Sequence, residues 1–502
     1  MIKKIILSCT ITTLVTTSLL SSAFAASKRS EKDKAERPNV VVIMTDEHNF
    51  RTLGAYRKLM SKEQGEMWGK EVVETPNIDW LADNGAIATS FYSSAPVCTP
   101  ARGSFFSGMY PQNNGAVQNN VPLREDAITF AHILKDKGYA TGYIGKWHLD
   151  GGAKPLWAPE RSFGFDDNRY MYNRGHWKQF VDTETGSKIA ATNEKGKPTY
   201  SAKGADSRSF STDYQFGKVI NFIDTNRDKP FLMMLSLSDP HGPDTVRSPY
   251  DTMYQDIEFQ RPRTQLVDAD KAPIWAQPSG SKKAPNMKNY YGMVKLIDDS
   301  MARLYAELRH ENLMENTIIV FTSDHGDLKG EHGRQNKGNP FEGSARIPFL
   351  VYYPSKIPAK TVIPQALTTV DFQQTLLGLI GVNPSGNEEG RDATPLLSKV
   401  KDASKQWQDI AFMRQSSKTG EGWLTAITER YKLVYNPEGE PWLFDLEKDP
   451  DELINFYKQP AYKEQVRFMA TEMKNYAMQR NDIFLLDNEH MTKQVNSAIN
   501  AK

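Results

Sequence analysis

The chain contains a series of short, continuously apolar runs, separated by longer segments with helical spacing. Runs such as NVVVIM from residue 39 and FLMMLSL from residue 231 do not alternate between apolar and polar residues, as a strand with one solvent-exposed face would. They therefore predict strands buried on both faces. Similar runs begin near residues 140, 317 and 346, and helical patterns cover residues 76–85, 128–139, 289–312 and 370–381. Buried strands that alternate with helices predict an α/β fold with a parallel sheet covered by helices.

Polar side chains follow four of these runs, at the point where each predicted strand ends. Since ligands bind beyond the carboxyl ends of the strands in open α/β sheets, four such endings indicate one shared site. The alternative is four independent turns, in which Asp is common anyway. The residues at the four ends are Asp46 and Glu47, Lys146 and His148, His241, and Asp324 with His325.

The residue types at these ends favour binding of an anionic substrate. The carboxylates of Asp46, Glu47 and Asp324 would repel one another unless a cation lay between them, and oxygen ligands favour calcium or magnesium. A metal beside positive donors suits an oxyanion substrate, so sulfate and phosphate esters both fit. The candidate positive or protonatable groups are Arg102, Lys146, His148, His241 and Lys337.

The N-terminus has the features of an export signal. Lys3 and Lys4 precede an apolar stretch, and Ala23-Phe24-Ala25 fits a cleavage site, which predicts a signal peptide over residues 1–25. A charged spacer follows over residues 26–37. We therefore expect a periplasmic or secreted protein without stable membrane insertion after cleavage. Cleavage would leave Cys98 as the only cysteine, which implies an intermolecular pair, a free thiol or a special chemical use. The alternative is a small buried hydrophobic residue that only packs.

Composition narrows the class of partner. The chain has 502 residues, 39% of them hydrophobic, with 62 Lys and Arg against 61 Asp and Glu. These values are typical of a globular protein with a large core, and the near-zero net charge gives no support for nucleic acid as a partner. The polar tail after Asp487 is expected to be loose.

Cys98 opens the segment CTPAR, which matches the C-x-P-x-R signature of the type I sulfatases. GSFFSGMYP follows it, as in relatives, and further similar segments occur in the family's order: GYIGKWHL, DPHGP, TSDHGDLKGEHG, KGNPFEGSARIPFL and PWLFDLEKDPDELINFY. The resemblance extends from about residue 39 to residue 457, and the chain resembles exported bacterial polysaccharide sulfatases.

The resemblance implies an alkaline-phosphatase-like fold, a mixed and mostly parallel sheet covered by helices, with a smaller C-terminal α+β domain. We expect the catalytic domain at residues 38–385 and the smaller domain at residues 386–502. WLTAITERYKLVYN and PWLFDLE would be strands of the smaller domain, and KEQVRFMATEMKNYAMQRND its helix.

The resemblance also assigns roles to individual residues. It implies oxidation of Cys98 by a maturation enzyme to formylglycine, whose hydrate attacks sulfur with one hydroxyl and expels sulfate through the other. One calcium ion per chain would be held by Asp46, Glu47, Cys98, Asp324 and His325, although many relatives have Asp in place of Glu47 and Asn in place of His325. The groups expected to bind sulfate or take part in catalysis are Cys98, Arg102, Lys146, His148, His241 and Lys337.

Two roles stay open at this stage. The general acid is either His241 or Lys337, with His241 preferred, and His148 is the expected base. The segment RYMYNRGHWKQF mixes cations with aromatic residues, as a sugar-sulfate subsite would, and alternatively is a solvated insertion. Its candidate substrate-binding residues are Arg169, Arg174, His176 and Trp177.

The resemblance favours a sulfated oligosaccharide or polysaccharide as substrate. Algal galactans such as carrageenan come first and animal glycosaminoglycans second. Two alternatives remain: a phosphonate or phosphodiester hydrolase of the same superfamily, and a catalytically inactive protein that binds sulfated glycans. The intact CTPAR segment, the histidines and the acidic residues argue against the inactive protein.

Overall fold

A computed structural model describes residues 37–265, 268–415 and 422–501. The predicted signal peptide and almost all of the charged spacer lie outside these residues. The strands are β1 (Asn39–Asp46), β2 (Ala86–Ala88), β3 (Phe91–Tyr92), β4 (Ala140–Lys146), β5 (Asp167–Tyr172), β6 (Phe180–Thr183), β7 (Gly186–Ile189), β8 (Phe231–Pro240), β9 (Thr317–Ser323), β10 (Phe349–Tyr352), β11 (Thr361–Ile363), β12 (Leu367–Thr368), β13 (Ala411–Gln415), β14 (Trp423–Ile427), β15 (Tyr431–Tyr435) and β16 (Trp442–Asp445).

Helices cover both faces of the main sheet and form one layer of the C-terminal part. The α-helices are α1 (Gly54–Arg57), α2 (Lys62–Gly65), α3 (Pro76–Asn84), α4 (Cys98–Ser107), α5 (Pro111–Asn114), α6 (Phe130–Asp136), α7 (Ser211–Asn226), α8 (Lys288–His310), α9 (Glu342–Ala345), α10 (Phe372–Ile380), α11 (Thr394–Leu397), α12 (Ala403–Gln406), α13 (Lys463–Gln479), α14 (Ile483–Leu486) and α15 (Glu489–Asn500). Short 3-10 helices lie at Phe50–Thr52, Ala269–Lys271, Ile274–Ala276, Met314–Asn316, Glu331–Gly333, Thr369–Asp371 and Pro460–Tyr462.

The main sheet has eight strands in the order β11-β2-β10-β9-β1-β8-β4-β5. Strand β1 is central and pairs in parallel with β8 on one side and β9 on the other. Strand β10 alone runs antiparallel to its neighbours β9 and β2. The predicted fold, a mostly parallel mixed sheet between helices, is confirmed.

The apolar runs form strands because both faces of the sheet are covered. Val40 and Val42 of β1 pack into one core with α4, α6 and α10, while Val41 and Ile43 pack into the opposite core with α3, α7 and α8. All eight residues of β1 are buried, and the run from Val40 to Met44 is apolar on both faces of the sheet because both faces are covered.

Glycine lets two strands approach each other closely beside the site. Gly145 in β4 has φ +107°, and a Cβ there would lie 2.0 Å from the carbonyl oxygen of Ser236 in β8. Only glycine fits this position, because a side chain would clash with the neighbouring backbone. The contact fixes the end of β4, from which Lys146 extends.

The C-terminal part contains the predicted antiparallel sheet and helix. Strands β13 to β16 form a four-stranded meander, and α13 packs on β14 and β15. The predicted boundary between residues 385 and 386 stays a prediction. Residues of α11 and α12 pack into the core of the large sheet, and the smaller sheet starts at Ala411.

The expectation of a loose tail after Asp487 was wrong. Residues Glu489–Asn500 form a helix that packs against α13. Met491, Val495 and Ala498 are buried, and their spacing of four and three residues places them on one helical face. The sequence did not predict this helix because polar residues outnumber the apolar ones. In the described part of the chain, no helix has the length and apolar character needed to cross a bilayer.

Candidate active site

The carboxyl ends of β1, β4, β8 and β9 bring the predicted residues to one edge of the sheet. These strands are neighbours in the order β9-β1-β8-β4, so the polar residues that follow them meet in space. Helix α4 adds Cys98 as its first residue. Glu47 and His148 follow their strands with φ of 62° and 60°, a left-handed conformation that is uncommon outside glycine and is found at functional sites.

Cys98 lies at the centre of these groups. Its sulfur is 3.2 Å from Nε2 of His325, 3.8 Å from Nζ of Lys146 and 3.9 Å from Oδ1 of Asp46. Burial and Asp46 would raise the pKa of the thiol, but Lys146, Lys337 and His325 outweigh them and hold it well below its usual value. A buried cysteine with a depressed pKa is typical of chemical use rather than of packing.

Four side chains form a group of potential metal ligands. One donor atom from each of Asp46, Cys98, Asp324 and His325 lies within 4.8 Å of the other three, and all four residues are buried. Two carboxylates in such a group suit a hard divalent cation. This cluster could therefore hold a metal ion.

The orientation of His325 fits the same role. Its Nδ1 lies 3.0 Å from the carbonyl oxygen of Gly326, which can only accept, so Nδ1 carries a hydrogen. Nε2 then directs its remaining position toward Asp46 and Asp324, each 3.6 Å away. Burial opposes the charged ring, but Asp324 and the Cys98 thiolate raise its pKa to about 9. A cation in the cluster would take the place of that proton.

Glu47 faces a different set of groups. Its Oε1 accepts from Nζ of Lys337 at 2.8 Å, and its Oε2 lies 3.0 Å from Nε2 of His241. The structure therefore does not place its carboxylate among the four clustered donors, although the backbone N–H of Glu47 points at Oδ1 of Asp324, 3.4 Å away. Its predicted place in the ligand set stays a prediction.

Glu47, Lys337 and His241 form a proton-sharing group. Nδ1 of His241 donates to the carbonyl of Gly242 at 2.9 Å, which leaves Nε2 of the neutral ring as an acceptor. Nζ of Lys337 is 3.0 Å from that nitrogen. Burial lowers the pKa of His241 to about 3, while burial and Asp327 raise the pKa of Glu47 to about 7. A proton on Glu47 would therefore satisfy the close contact between its oxygen and the ring.

Arg102 and Lys146 neutralise the two central carboxylates. Arg102 Nε donates to Asp324 at 2.8 Å, and its Nη1 donates to Ser236 Oγ at 2.7 Å, with all its side-chain surface buried. Lys146 forms an ion pair with Asp46 and lies 3.0 Å from Nε2 of His176. Arg102 therefore pairs with Asp324 outside the cavity lining, whereas Lys146 lines the cavity.

His148 is held by an amide from a neighbouring loop. Its Nε2 lies 3.2 Å from Oδ1 of Asn120, and its buried Nδ1 has no hydrogen-bond partner in the described structure. Because the amide oxygen accepts, Nε2 carries the hydrogen and Nδ1 keeps a lone pair. Burial lowers the pKa of this histidine, so the ring is neutral at pH 7 and the Nδ1 lone pair is available.

A cavity of about 160 Å³ opens above Cys98. Among the predicted residues it brings together Cys98, Lys146, His148, His241 and Lys337, and Arg174 and His176 of the proposed subsite also line it. The ring of His176 stacks on that of His241 with centroids 3.5 Å apart. The full lining is Cys98, Asn119, Asn120, Lys146, His148, Lys154, Arg174, Gly175, His176, Tyr200, His241 and Lys337.

Two predicted substrate-binding residues lie away from this cavity. Arg169 in β5 pairs with Asp167, 2.9 Å away, and exposes 63% of its side chain on the surface. Trp177 is buried in a small aromatic cluster with Tyr172 and Phe180. The segment contains both an exposed residue and a buried one because β5 ends at Tyr172 and a turn follows it.

Five cavity residues were not predicted from the sequence: Asn119, Asn120, Lys154, Gly175 and Tyr200. They lie in connecting segments outside named helices and strands. No run or strand end marks them, so only the folded arrangement identifies them. A search for polar residues in the loops near GKWH would have found Lys154.

Comparison with known proteins defines the class. The profile of the Sulfatase family matches residues 38–382, and that of the C-terminal part of N-sulphoglucosamine sulphohydrolase matches residues 330–479. The first match covers more than half of the chain. The chain therefore belongs to the sulfatase family and is a sulfuric ester hydrolase.

Individual relatives agree with this family. The chain is 27% identical over 483 residues to an ulvan-active sulfatase of Formosa agariphila, with 92% of this chain and 86% of that protein covered. The crystal structure of the sulfatase yidJ from Bacteroides fragilis has a TM-score of 0.70 and 26% identity, and covers 89% of this chain and 97% of its own. A structure of Ps i-CgsB bound to k-i-k-neocarrahexaose shares the fold, with a TM-score of 0.65, 22% identity and coverage of 93% and 98%.

Proposed function

We propose that the protein hydrolyses sulfate esters on a sulfated carbohydrate, with Cys98 matured to formylglycine as the reactive group. The observation that carries this proposal is the position of Cys98, buried at the base of a cavity and surrounded by cationic and imidazole groups. A sulfate ester carries one negative charge. As the bond to the leaving oxygen breaks, further negative charge develops on that oxygen. Fixed positive donors at this place stabilise both states.

The lysines are suited to hold the sulfate group. Lys146 and Lys337 border the same cavity as Cys98, and each ammonium group is held by one carboxylate, Asp46 for the first and Glu47 for the second. Such anchoring fixes the ammonium groups before substrate arrives, so less reorganisation is needed in the transition state. His176 contacts Lys146 and narrows its freedom further.

Proton transfer falls to two histidines in this proposal. Lys337 donates a hydrogen bond to Nε2 of His241, so the proton for the departing alcohol comes from Lys337 directly or through His241. His241 is the preferred donor to the alcohol, once Lys337 or Glu47 has protonated its Nε2. His148, with its Nδ1 free of protein partners in the described structure, is the proposed base. Asn120 keeps this ring in one tautomer.

Two additional groups complete the proposal. A calcium ion held by Asp46, Asp324, His325 and the matured Cys98, with Glu47 as the fifth predicted ligand, would supply positive charge that acidifies an adjacent hydroxyl. Formylglycine at residue 98 would supply, when hydrated, one hydroxyl for attack on sulfur and a second for release of sulfate. The calcium ion would need ligand atoms beside residue 98, and the clustered carboxylates and His325 would provide them.

Two relatives support the proposed substrate class. One relative is described as ulvan-active, and a protein of the same fold was solved with a neocarrahexaose. We propose an algal polysaccharide or oligosaccharide such as carrageenan as substrate, with glycosaminoglycans as the second class. We also propose that the protein is exported, because cleavage after Ala25 would release it into the periplasm or beyond. N-terminal sequencing of the released protein tests this.

The experiment expresses the full chain with and without a formylglycine-generating enzyme. Peptide mapping should show residue 98 as formylglycine only in the first sample, and only that sample should hydrolyse an aryl sulfate. The same sample should be compared on an aryl phosphonate. Activity by protein that carries only the free thiol would overturn the formylglycine assignment, and preference for the phosphonate would overturn the sulfatase assignment in favour of the phosphonate hydrolases.

A further inference from the structure

Two cations at the outer part of the cavity have no acidic partner among the residues that the structure describes. Lys146 and Lys337, deeper in the cavity, are each paired with a carboxylate. Lys154 and Arg174 line the same cavity, and neither forms an ion pair with an acidic side chain in the described residues. None of the twelve lining residues is Asp or Glu. The outer cavity therefore carries uncompensated positive charge.

Lys154 is held in place by two aromatic rings. Nζ of Lys154 lies 4.8 Å from the ring centroid of Tyr200 and 5.2 Å from that of Trp177, so both rings attract it. The two rings pack against each other with centroids 4.7 Å apart. This explains the position of Trp177: it does not line the cavity, but it supports a residue that does.

Backbone contacts join the two cation-bearing segments. Arg174 Nη1 donates to the carbonyl of Gly152 at 3.2 Å, and Trp177 Nε1 donates to the carbonyl of Arg174 at 3.0 Å. The buried amide of Asn173 donates to the carbonyls of residues 151 and 153 at 3.0 and 2.9 Å. The loop before Lys154 and the turn that contains Arg174 thus form one connected wall.

We propose that Lys154 and Arg174 form a second anion subsite, which binds a negatively charged substituent of the substrate other than the ester being cleaved. The ligand is a sulfate or carboxylate group on the same sugar or on its neighbour. Two cations beside Tyr200, an aromatic ring that lines the cavity, suit this chemistry, because the ring can contact the sugar while the cations pair with its charge. This inference rests on the proposed function and narrows the substrate to saccharides with at least two anionic groups.

The test compares substrates built on one disaccharide backbone. The first carries a single sulfate, the second carries a second sulfate, and the third carries a uronic acid carboxylate in place of the second sulfate. The wild-type enzyme should have a kcat/KM about tenfold or more higher for at least one dianionic substrate, and the two arms show which anion is preferred. Equal kcat/KM on all three would overturn the proposal.

Substitutions separate this subsite from the reaction centre. Lys154→Ala and Arg174→Ala should each lower kcat/KM for the preferred dianionic disaccharide roughly tenfold more than for the monosulfated disaccharide, mainly through KM. Lys197→Ala removes the same charge from an exposed lysine outside the cavity and should change neither substrate. Unfolding temperatures of all variants should match that of wild type.

Two results distinguish failure of this inference from failure of the proposed function. If the wild-type enzyme cleaves aryl sulfate but the variants lose activity equally on every substrate, Lys154 and Arg174 act on the cleaved ester or on the fold, and the second subsite is wrong. If matured wild-type enzyme cleaves no sulfate ester, the proposed function itself fails. As a second measurement, the inert Cys98→Ala protein should bind the dianionic disaccharide at least tenfold more tightly than Cys98→Ala with Lys154→Ala.

Discussion

Replacing Lys178 should disturb both stability and the position of His241. Its ammonium group is fully buried and lies 2.7 Å from Oδ1 of Asp239, and it also donates to the carbonyl of His241 at 3.1 Å. Lys178 lies two residues after His176, so this one side chain connects the segments that carry the two stacked histidines. We therefore interpret it as a positioning residue for the cavity wall.

The structure sets the expected size of the effect. Lys178→Met would leave the Asp239 carboxylate buried with only the hydroxyls of Thr212 and Ser211, at 2.5 and 3.4 Å. Breaking a buried pair by removing one partner costs about 3–5 kcal/mol. At about 2 °C for each kcal/mol, appropriate for a large domain, the unfolding temperature should fall by roughly 6–10 °C.

The double variant Lys178→Met with Asp239→Asn tests the cause. Asparagine can still accept from Thr212 but carries no charge, so the double variant should regain about half of the lost stability or more. Lys188→Met, which changes an exposed lysine of β7, is the control and should leave the unfolding temperature unchanged. Thermal unfolding of all four proteins measures these differences.

Kinetics distinguish positioning from general stabilisation. At a temperature where all variants are folded, Lys178→Met should lower kcat for an alkyl sulfate more than for an activated aryl sulfate, because a displaced His241 affects proton transfer to a basic leaving group. An unchanged unfolding temperature, or a double variant no more stable than the single one, would refute the reasoning about the buried pair. Equal kinetic losses on both substrates would refute the positioning role.

Three further predictions concern the reaction centre. His241→Ala should impair hydrolysis of alkyl sulfates far more than that of aryl sulfates, measured as kcat/KM, and equal losses would point to sulfate binding instead. Removal of divalent metal, verified by elemental analysis, should abolish turnover and calcium should restore it; zinc in the native protein would overturn the calcium assignment. Cys98→Ser, made in a host that cannot oxidise serine at this motif, should turn over at most once, and intact-protein mass spectrometry should find a sulfated serine where the hydroxyl is activated. Repeated turnover by proven serine protein would refute the need for two hydroxyls.

The sequence predicted the part of the fold that depends on local pattern. Buried strands such as β1 and β8 are continuous apolar runs, and the residues at their carboxyl ends meet because the strands are parallel neighbours. It did not predict the helix Glu489–Asn500, where a narrow stripe of apolar residues is diluted by polar ones. Burial of that stripe depends on α13, which lies elsewhere in the sequence.

The sequence predicted those site residues that directly follow a strand, and it missed several that only loops bring to the site. Asp46, Asp324 and His241 need only the sheet order to come together. Lys154 and Tyr200 are 46 residues apart and come together only through contacts between loops. Arg169 was grouped with Arg174 by closeness in sequence, but β5 ends between them, and Arg169 remains on the exposed surface beside Asp167.

The case for a metal also changes once the side chains are placed. From the sequence, the density of carboxylates was the reason to expect a cation. In the structure each carboxylate already has a cationic partner: Lys146 for Asp46, Lys337 for Glu47 and Arg102 for Asp324. Repulsion alone therefore does not require a metal ion at this place.

What favours a metal is the directionality of the donors. The carbonyl of Gly326 fixes the hydrogen on Nδ1 of His325, so the opposite nitrogen faces the two carboxylates and the Cys98 sulfur. Without a cation, burial lowers the pKa of His325, but Asp324 and the Cys98 thiolate outweigh burial and raise it to about 9, so that nitrogen carries a proton at neutral pH. A divalent ion would displace this proton and share the carboxylates with Lys146 and Arg102. Metal binding should then release protons below that pKa, which titration calorimetry in buffers of different ionisation enthalpy would detect, and binding without proton release at neutral pH would contradict the role of His325 as a ligand.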